Sequence, residues 1–401
     1  MTLSTRNRRT FCIGLMGATG AALIAATLPL TQRASAAAGA KQNSPGVVYA
    51  MTNDASDNRI VIYQRAADGT LTLSGSVSTG GRGSGSFENS SNGLILAGLQ
   101  TESSPANLGG SARFLIATNA GSNDISVFAV RSGDLELVDV EPSQGTHPVS
   151  VTLRNKVLYA LNGGISNGNG IANIAGFRVA SDGDLTPIPG AVQPVVGNPV
   201  SGAAQVGFNV KGDVLVVTER QGDIIDSYIV DKDGIASPPI ANQTTGNGPF
   251  GFAFTRRDQL ITTENFGAAP LQGGVASYDV LDNGTLVPLG PTTRNFRSDT
   301  CWAVITDNQK YLYTTNFQSG DISSYRVDQD GTTALINSTA GVVGVGASDE
   351  ALSVNSQFLY ARNALQGTIS VFRVEADGSL TPLQVIGGIP PGGAAIGLAA
   401  R

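Results

Sequence analysis

One short pattern recurs seven times along this chain, and few architectures can house it. An apolar run ends in Asn or Glu: VVYAMTN at Asn53, FLIATN at Asn119, VLYALN at Asn162, VLVVTE at Glu219, QLITTE at Glu264, YLYTTN at Asn316 and FLYARN at Asn363. The step averages about 52 residues, the size of period that marks propellers and other repeat arrays. The first step is the longest, because TESSPANLGG is inserted after GLILAGLQ.

Each run is followed by a short alternating segment with an aromatic at a fixed place: Tyr63, Phe128, Phe177, Tyr228, Tyr278, Tyr325 and Phe372. A turn comes next: Asp68-Gly69, Ser132-Gly133, Asp182-Gly183, Asp233-Gly234, Asn283-Gly284, Asp330-Gly331 and Asp377-Gly378. Asp-Gly and Asn-Gly between alternating runs signal hairpins, and predict type I′ turns. A further strand precedes the apolar run, as in PVSVTL, PFGFAF and TCWAVI. Each unit therefore reads as four antiparallel strands, A to D, and radial repetition of such units makes a propeller. Strand A, the most apolar, belongs nearest the axis with both faces buried.

The fold class predicted is all-β: a seven-bladed β-propeller with four antiparallel strands per blade. The repeat begins with a strand B that lacks an A and finishes with GAAIGLAA, an A that lacks a B. The C-terminal strand should join the first blade and close the ring, which removes exposed strand edges. The 51 glycines and only 14% charged residues suit short strands and many tight turns. Net charge is −6, without a basic patch for phosphate backbones, so nucleic acid is excluded as a partner.

Residues 1–36 read as a cleaved export signal, 37–45 as a short linker and 46–401 as a single propeller domain. The stretch RNRRTFCIGLMGATGAALIAATLPL has a basic start and an apolar core, and Ala34-Ser35-Ala36 supplies a cleavage site. Arg8-Arg9 before Thr10-Phe11 matches a twin-arginine signal. These features predict a periplasmic or secreted protein without a membrane anchor after signal removal, and a monomer. Cys12 leaves with the signal, so Cys301 has no partner for an intramolecular disulfide.

The start of strand A and the end of strand B should lie at one face, because the two are antiparallel neighbours. That places His147, the only histidine, beside the ends of seven B strands at one mouth of the axial channel. His147 is a candidate general base or acid; repeat alignment sets it near Gly202, Gly248 and Asp349. Glu219 and Glu264 replace the usual Asn, are longer and charged, and are candidate catalytic carboxylates that could also bind a cation. The bland alternative is that they replace Asn in a turn-stabilising bond. Arg220 is a candidate for an anionic substrate, Trp302 for a stacking wall, and Asn162 and Asn316 for substrate contacts. A lone Trp between apolar residues, as Trp302 is, is more often core.

Other signals fail. Gly164-Ile165-Ser166-Asn167-Gly168 spells a nucleophile-elbow motif without the helix it needs. One histidine excludes multi-histidine zinc sites. No phosphate-binding loop or dinucleotide fingerprint is present, and neither a metal nor a cofactor is called for. A nucleophilic Cys301 lacks an evident base.

The pattern LY..N, then ISV[FY], then DG-x-L resembles the lactonase family of seven-bladed propellers, which includes bacterial 6-phosphogluconolactonases and fungal carboxymuconate cycloisomerases. The resemblance covers residues 46–401. HPVSV, VLVVTER, GPFGFAF, ENFGAAP and TCWAV are most similar to exported bacterial members. It implies lactone hydrolysis or cycloisomerisation with a His, a Glu and arginines at the channel mouth and no required metal; His147, Glu219 and Arg220 have those residue types. An exported protein without an Arg/Lys cluster implies an unphosphorylated or carboxylated lactone as the small-molecule partner. The rival expectation is a non-catalytic exported propeller that binds a ligand or a partner protein.

Overall fold

A computed structural model describes residues 45–99, 112–131, 134–164, 171–392 and 397–401. The export signal, the TESSPANLGG insertion, the Ser132-Gly133 turn and the Ile165–Gly168 part of the elbow-like motif lie outside the described residues.

Seven antiparallel sheets form, each with strands in the order A-B-C-D. In the fifth blade strand D is split into Leu286–Pro288 and Thr293–Arg294, both paired to strand C. The chain closes its ring in the first blade, where Leu398–Ala400 pairs with Gly46–Met51. Arg401 and Val47 extend that pairing through backbone hydrogen bonds in both directions.

Burial follows position along the blade radius. Strands A and B are almost wholly buried, as in Ala203–Phe208 and Val214–Glu219, because both their faces meet neighbouring blades. The outermost strands alternate, as in Asp134–Pro142. The strand C aromatics Tyr63, Phe128, Phe177, Tyr228, Tyr278, Tyr325 and Phe372 are all buried between blades, and a fully buried side chain of this size contributes ~1.5–3 kcal/mol.

The hairpin turns differ from expectation in type. Gly69 takes φ +94°, but Asp68 is not in the positive-φ region that a type I′ turn requires of both central residues. Instead Gly69 N–H donates to Ala66 O and Ala66 N–H to Thr70 O, closing a longer loop that ends on a left-handed glycine. The Asp68 carboxylate accepts from the Thr70 N–H and hydroxyl and fixes this geometry. A Cβ on Gly69 would lie 2.2 Å from the ring of Phe358 in the adjoining blade, so the glycine also lets the turn dock.

The starts of the A strands share a kink. Between Pro148 and Ser150, Ala203 and Gln205, Pro249 and Phe252, Thr300 and Trp302, and Ala347 and Glu350, strand A carries one residue more than its partner strand B. Such bulges re-aim side chains at the rims of closed sheets. Here they lie at the channel mouth.

Candidate functional site

The mouth is built from crossovers, the segments that lead from strand D of one blade to strand A of the next. The crossover between Leu71–Ser78 and Leu94–Ala97 reaches across the ring. Ser84 N–H donates to Asn53 Oδ1 (2.9 Å), and Asn53 Nδ2 donates to Ser86 O (3.0 Å). Farther on, Ser91 N–H donates to Ala204 O (3.0 Å) and Trp302 Nε1 donates to Ser90 O (3.0 Å). Phe87 packs on Phe317 with ring centroids 5.1 Å apart. The segment is thus pinned to several blades, and it sets Phe87, Glu88 and Asn89 over the channel.

Glu88 meets His147. The imidazole Nε2 and the carboxylate Oε2 are 2.6 Å apart, and both residues are more than nine-tenths buried. Ser84 Oγ donates to the other carboxylate oxygen. His147 sits at φ +62°, with its N–H donated to Asn123 Oδ1 (2.7 Å). The residues before the paired A-strand starts of other blades share that conformation: Gly202 (+59°), Gly248 (+65°), Asp299 (+62°) and Gly346 (+99°). The equivalent of His147 in the last blade is therefore Gly346, not Asp349, which lies inside its strand. A non-glycine residue held in this region costs on the order of 1–3 kcal/mol, and such outliers cluster at functional sites. His147 Nδ1 makes no hydrogen bond to a described residue, and His147 lines the mouth cavity.

That cavity has two lobes. One, of ≈ 130 Å³, lies against Glu88, His147, Val200, Arg220 and Gln221. The other, of ≈ 220 Å³, lies against Asn89, Arg220, Asp299, Cys301 and Trp302. Arg220 borders both, and its Nε is buried with no hydrogen-bond partner among the described residues. Asp299 and Cys301 form a pair at the far side: the thiol donates to Asp299 Oδ1 (3.2 Å). Burial raises both, and the Asp299 charge adds to the rise at the thiol, so Cys301 is no thiolate nucleophile.

The structure brings together only part of the predicted set. His147 and Arg220 face the mouth, and Trp302 forms its floor. Trp302 is 1% exposed and stacks edge-on against Phe250, so it is core as well as floor. Glu219, Glu264, Asn162 and Asn316 are fully buried and do not border the mouth cavity. Strand B is one strand out from the axis, so the side chain at its end meets the crossover entering its own blade. Glu219 accepts from Gly197 N–H (3.0 Å), Glu264 from Gly246 N–H (2.8 Å) and Thr292 Oγ1 (2.5 Å). Asn162 Nδ2 donates to Ser143 O (3.0 Å), and Asn316 Oδ1 accepts from Asn295 Nδ2 (3.0 Å). Burial, then the charge of Asp226, pushes the Glu219 carboxyl up to about 8. Burial also raises Glu264. Both groups are held in structural contacts with their crossovers rather than presented to the mouth.

Glu88, Asn89 and Asp299 escaped the sequence reading. Glu88 lies in GSGSFENSS, a stretch with no strand periodicity. The available signal was that this crossover holds a carboxylate among small polar residues just ahead of a strand A, where His147 sits in the next blade.

Residues 263–351 match the family model described as Lactonase, 7-bladed beta-propeller. The chain is a seven-bladed β-propeller that resembles that family over those residues. No curated protein matches it. Among solved structures, this propeller is similar to a Bacteroides uniformis protein provisionally named a 6-phosphogluconolactonase, at 17% identity and TM-score 0.67, covering 90% of this chain and 100% of that one. It is also similar to the periplasmic gluconolactonase of Pseudomonas aeruginosa, at 16% identity and TM-score 0.66, covering 89% and 99%. A protein of unknown function from Desulfotomaculum acetoxidans gives a TM-score of 0.65 at 12% identity, covering 89% and 99%. At these identities the likeness is one of fold. Among the described residues no cluster of three or more His, Cys, Asp or Glu could hold a metal ion, and no helix is long and apolar enough to cross a membrane.

Proposed function

We propose that this propeller hydrolyses an unphosphorylated or carboxylated lactone at the mouth formed by Glu88, His147 and Arg220. The observation that carries the reading is the 2.6 Å contact between His147 and Glu88 at a cavity also bordered by Arg220, whose Nε has no hydrogen-bond partner among the described residues. The Glu88 carboxylate accepts the Nε2 proton and holds the imidazole with its Nδ1 lone pair toward the cavity. That nitrogen takes a proton from water as the oxygen attacks the lactone carbonyl. Arg220 stabilises the oxyanion, then or thereafter the carboxylate product; one such donor is commonly worth ~3–4 kcal/mol. The protonated imidazole returns its proton to the ring oxygen as the C–O bond breaks. Run backward, the same groups close a lactone from a hydroxy acid.

Export to the periplasm or beyond is part of this reading. The basic, apolar, A-x-A pattern of residues 1–36 supports it, as does the fold shared with the periplasmic gluconolactonase of Pseudomonas aeruginosa. The test is turnover of a panel of unphosphorylated five- and six-membered lactones by the wild type and by His147→Asn and Glu88→Gln. Turnover that both substitutions abolish supports the proposal. A folded wild type that opens none of the lactones sinks it in favour of a binding propeller.

A further inference from the structure

The mouth is larger than the proposed chemistry needs. Water attack, ring opening and oxyanion binding are all served at the lobe that holds Glu88 and His147. The larger lobe, of ≈ 220 Å³, lies beside it, and the two share Phe87, Asn89 and Arg220. A ligand held against His147 therefore reaches the larger lobe by passing Phe87 and Arg220.

The larger lobe is walled by aromatic rings. Phe87 and Phe317 pack with centroids 5.1 Å apart, and Trp302 closes the floor 6.4 Å from Phe317. Trp302 is buried, whereas Phe87 and Phe317 are partly exposed, so those two rings supply the open apolar surface. A further wall is the Phe266–Ala268 turn. Gly267 and Ala268 present nothing larger than a methyl group there, and a Cβ on Gly267 would meet no atom within 4 Å. All three residues take positive φ (54°, 62° and 62°), which is strained for Phe266 and Ala268. Asn265 Oδ1 accepts from Gly267 N–H (2.9 Å), and the Arg294 guanidinium lies 4.0 Å over the Phe266 ring. The turn thus directs Phe266 to Arg294, and the lobe beside Gly267 stays open.

The polar groups of this lobe are few and already engaged. Among the described residues no side-chain hydroxyl borders it. Asp299 is met by the Cys301 thiol (3.2 Å) and by the charge of Arg220. Asn89 and Arg220 stand where the lobes join. A polyhydroxylated chain placed here would leave water for aromatic faces with most of its hydroxyls unpaired, which is costly. An apolar ring suits the space, since a cavity of roughly 150 Å³ already holds benzene, and ring against ring gains beyond the area buried. The segments that frame the lobe also carry the exposed side chains of Leu271 and Phe296. We infer that the substrate is a lactone bearing an apolar, ring-sized substituent, which sits on Phe87 and Phe317 in the larger lobe while the lactone carbonyl lies between His147 and Arg220. This rests on the proposed lactone hydrolysis and names the class of lactone.

The test compares γ-phenyl-γ-butyrolactone with γ-butyrolactone and glucono-δ-lactone, on the wild type, Phe317→Ala and Ala268→Met. Burial of the phenyl group should raise wild-type kcat/KM over that for γ-butyrolactone by roughly 10- to 100-fold. Phe317→Ala removes an aromatic wall, and Ala268→Met fills the lobe while leaving the aromatic rings in place. Each should bring the phenyl-to-unsubstituted ratio toward one, and a ratio is insensitive to the fraction of protein folded. The γ-phenyl-γ-lactam resists hydrolysis. In calorimetry it should bind the wild type more tightly than γ-butyrolactam does, and lose that advantage in both variants. Lactone turnover with no preference for the phenyl compound overturns the inference and leaves the proposed hydrolysis standing. So does a preference for glucono-δ-lactone, or a phenyl preference that both variants retain. A protein that opens no lactone but binds the phenyl lactam in the expected way supports the assignment of the lobe and overturns the hydrolysis instead.

Discussion

His147 and Glu88 meet at 2.6 Å although they stand on crossovers into different blades and are 59 positions apart in the chain. Neither strand pairing nor local turn geometry brings them together. The contact exists because one crossover is laid across the ring and pinned at Asn53, Ala204 and Trp302.

If that contact makes a catalytic base, its two halves act as a unit. His147→Asn and Glu88→Gln should each lower kcat by roughly 10²–10⁴-fold. The double variant should lose little more than the worse single one, since groups acting as a unit are not additive. Steady-state kinetics on the best lactone of the panel checks this. Additive losses would show that the two side chains work separately.

The backbone at His147 allows function to be told from stability. Glycine occupies the same left-handed position at Gly202 and Gly248. His147→Gly should relieve a strain of order 1 kcal/mol while losing the Glu88 contact, so its unfolding free energy should stay within about 1 kcal/mol of wild type. Lactone turnover should nonetheless disappear. A large stability loss in urea unfolding would make His147 a structural residue.

Arg220 should act mainly on the transition state. Arg220→Gln is expected to lower kcat by about 10²–10³-fold, the cost of losing one oxyanion donor. A change confined to KM would mean that Arg220 only binds an anionic part of the substrate.

Stability should carry the mark of the buried carboxyls. Glu219 is pushed up to about 8 and Asp349 to about 7, both by burial first. The unfolded values are near 4, so between about pH 4 and pH 8 the folded protein holds protons that the unfolded chain has released. Their contribution is fully present below about pH 4 and is lost as pH rises through 7 to 8. The melting temperature should therefore fall from about pH 5 to about pH 8.5. Glu219→Gln stays neutral throughout, so its profile should be flatter and its stability at pH 8 greater by about 1–3 kcal/mol. A profile identical to wild type would show that Glu219 ionises freely in the folded state.

The propeller was legible because its constraint is periodic. An aromatic in every strand C and a glycine in every hairpin repeat often enough to outweigh local ambiguity. His147 was legible as the lone histidine beside a strand A. The rest of the site was not, for two reasons. Alignment of repeats gives the height of a residue on its blade but not the direction of its side chain; Glu219 and Glu264 stand at the right height and turn into the crossovers. Glu88 depends on where a non-repeating crossover comes to rest, and no period encodes that.

The seam of the ring also sets an order of events. Strands Gly46–Met51, Arg59–Arg65 and Leu71–Ser78 of the first blade leave the ribosome long before Leu398–Ala400, the strand that completes their sheet. The crossover bearing Glu88 hangs from the end of that blade. Its anchors on Ala204 and Trp302 are likewise made later than itself. A chain interrupted after six blades would possess both His147 and Glu88 and still leave the first blade short of its innermost strand. Assembly of the mouth is therefore tied to completion of the chain, and a truncated product carries an open sheet edge that quality-control proteases and chaperones can recognise.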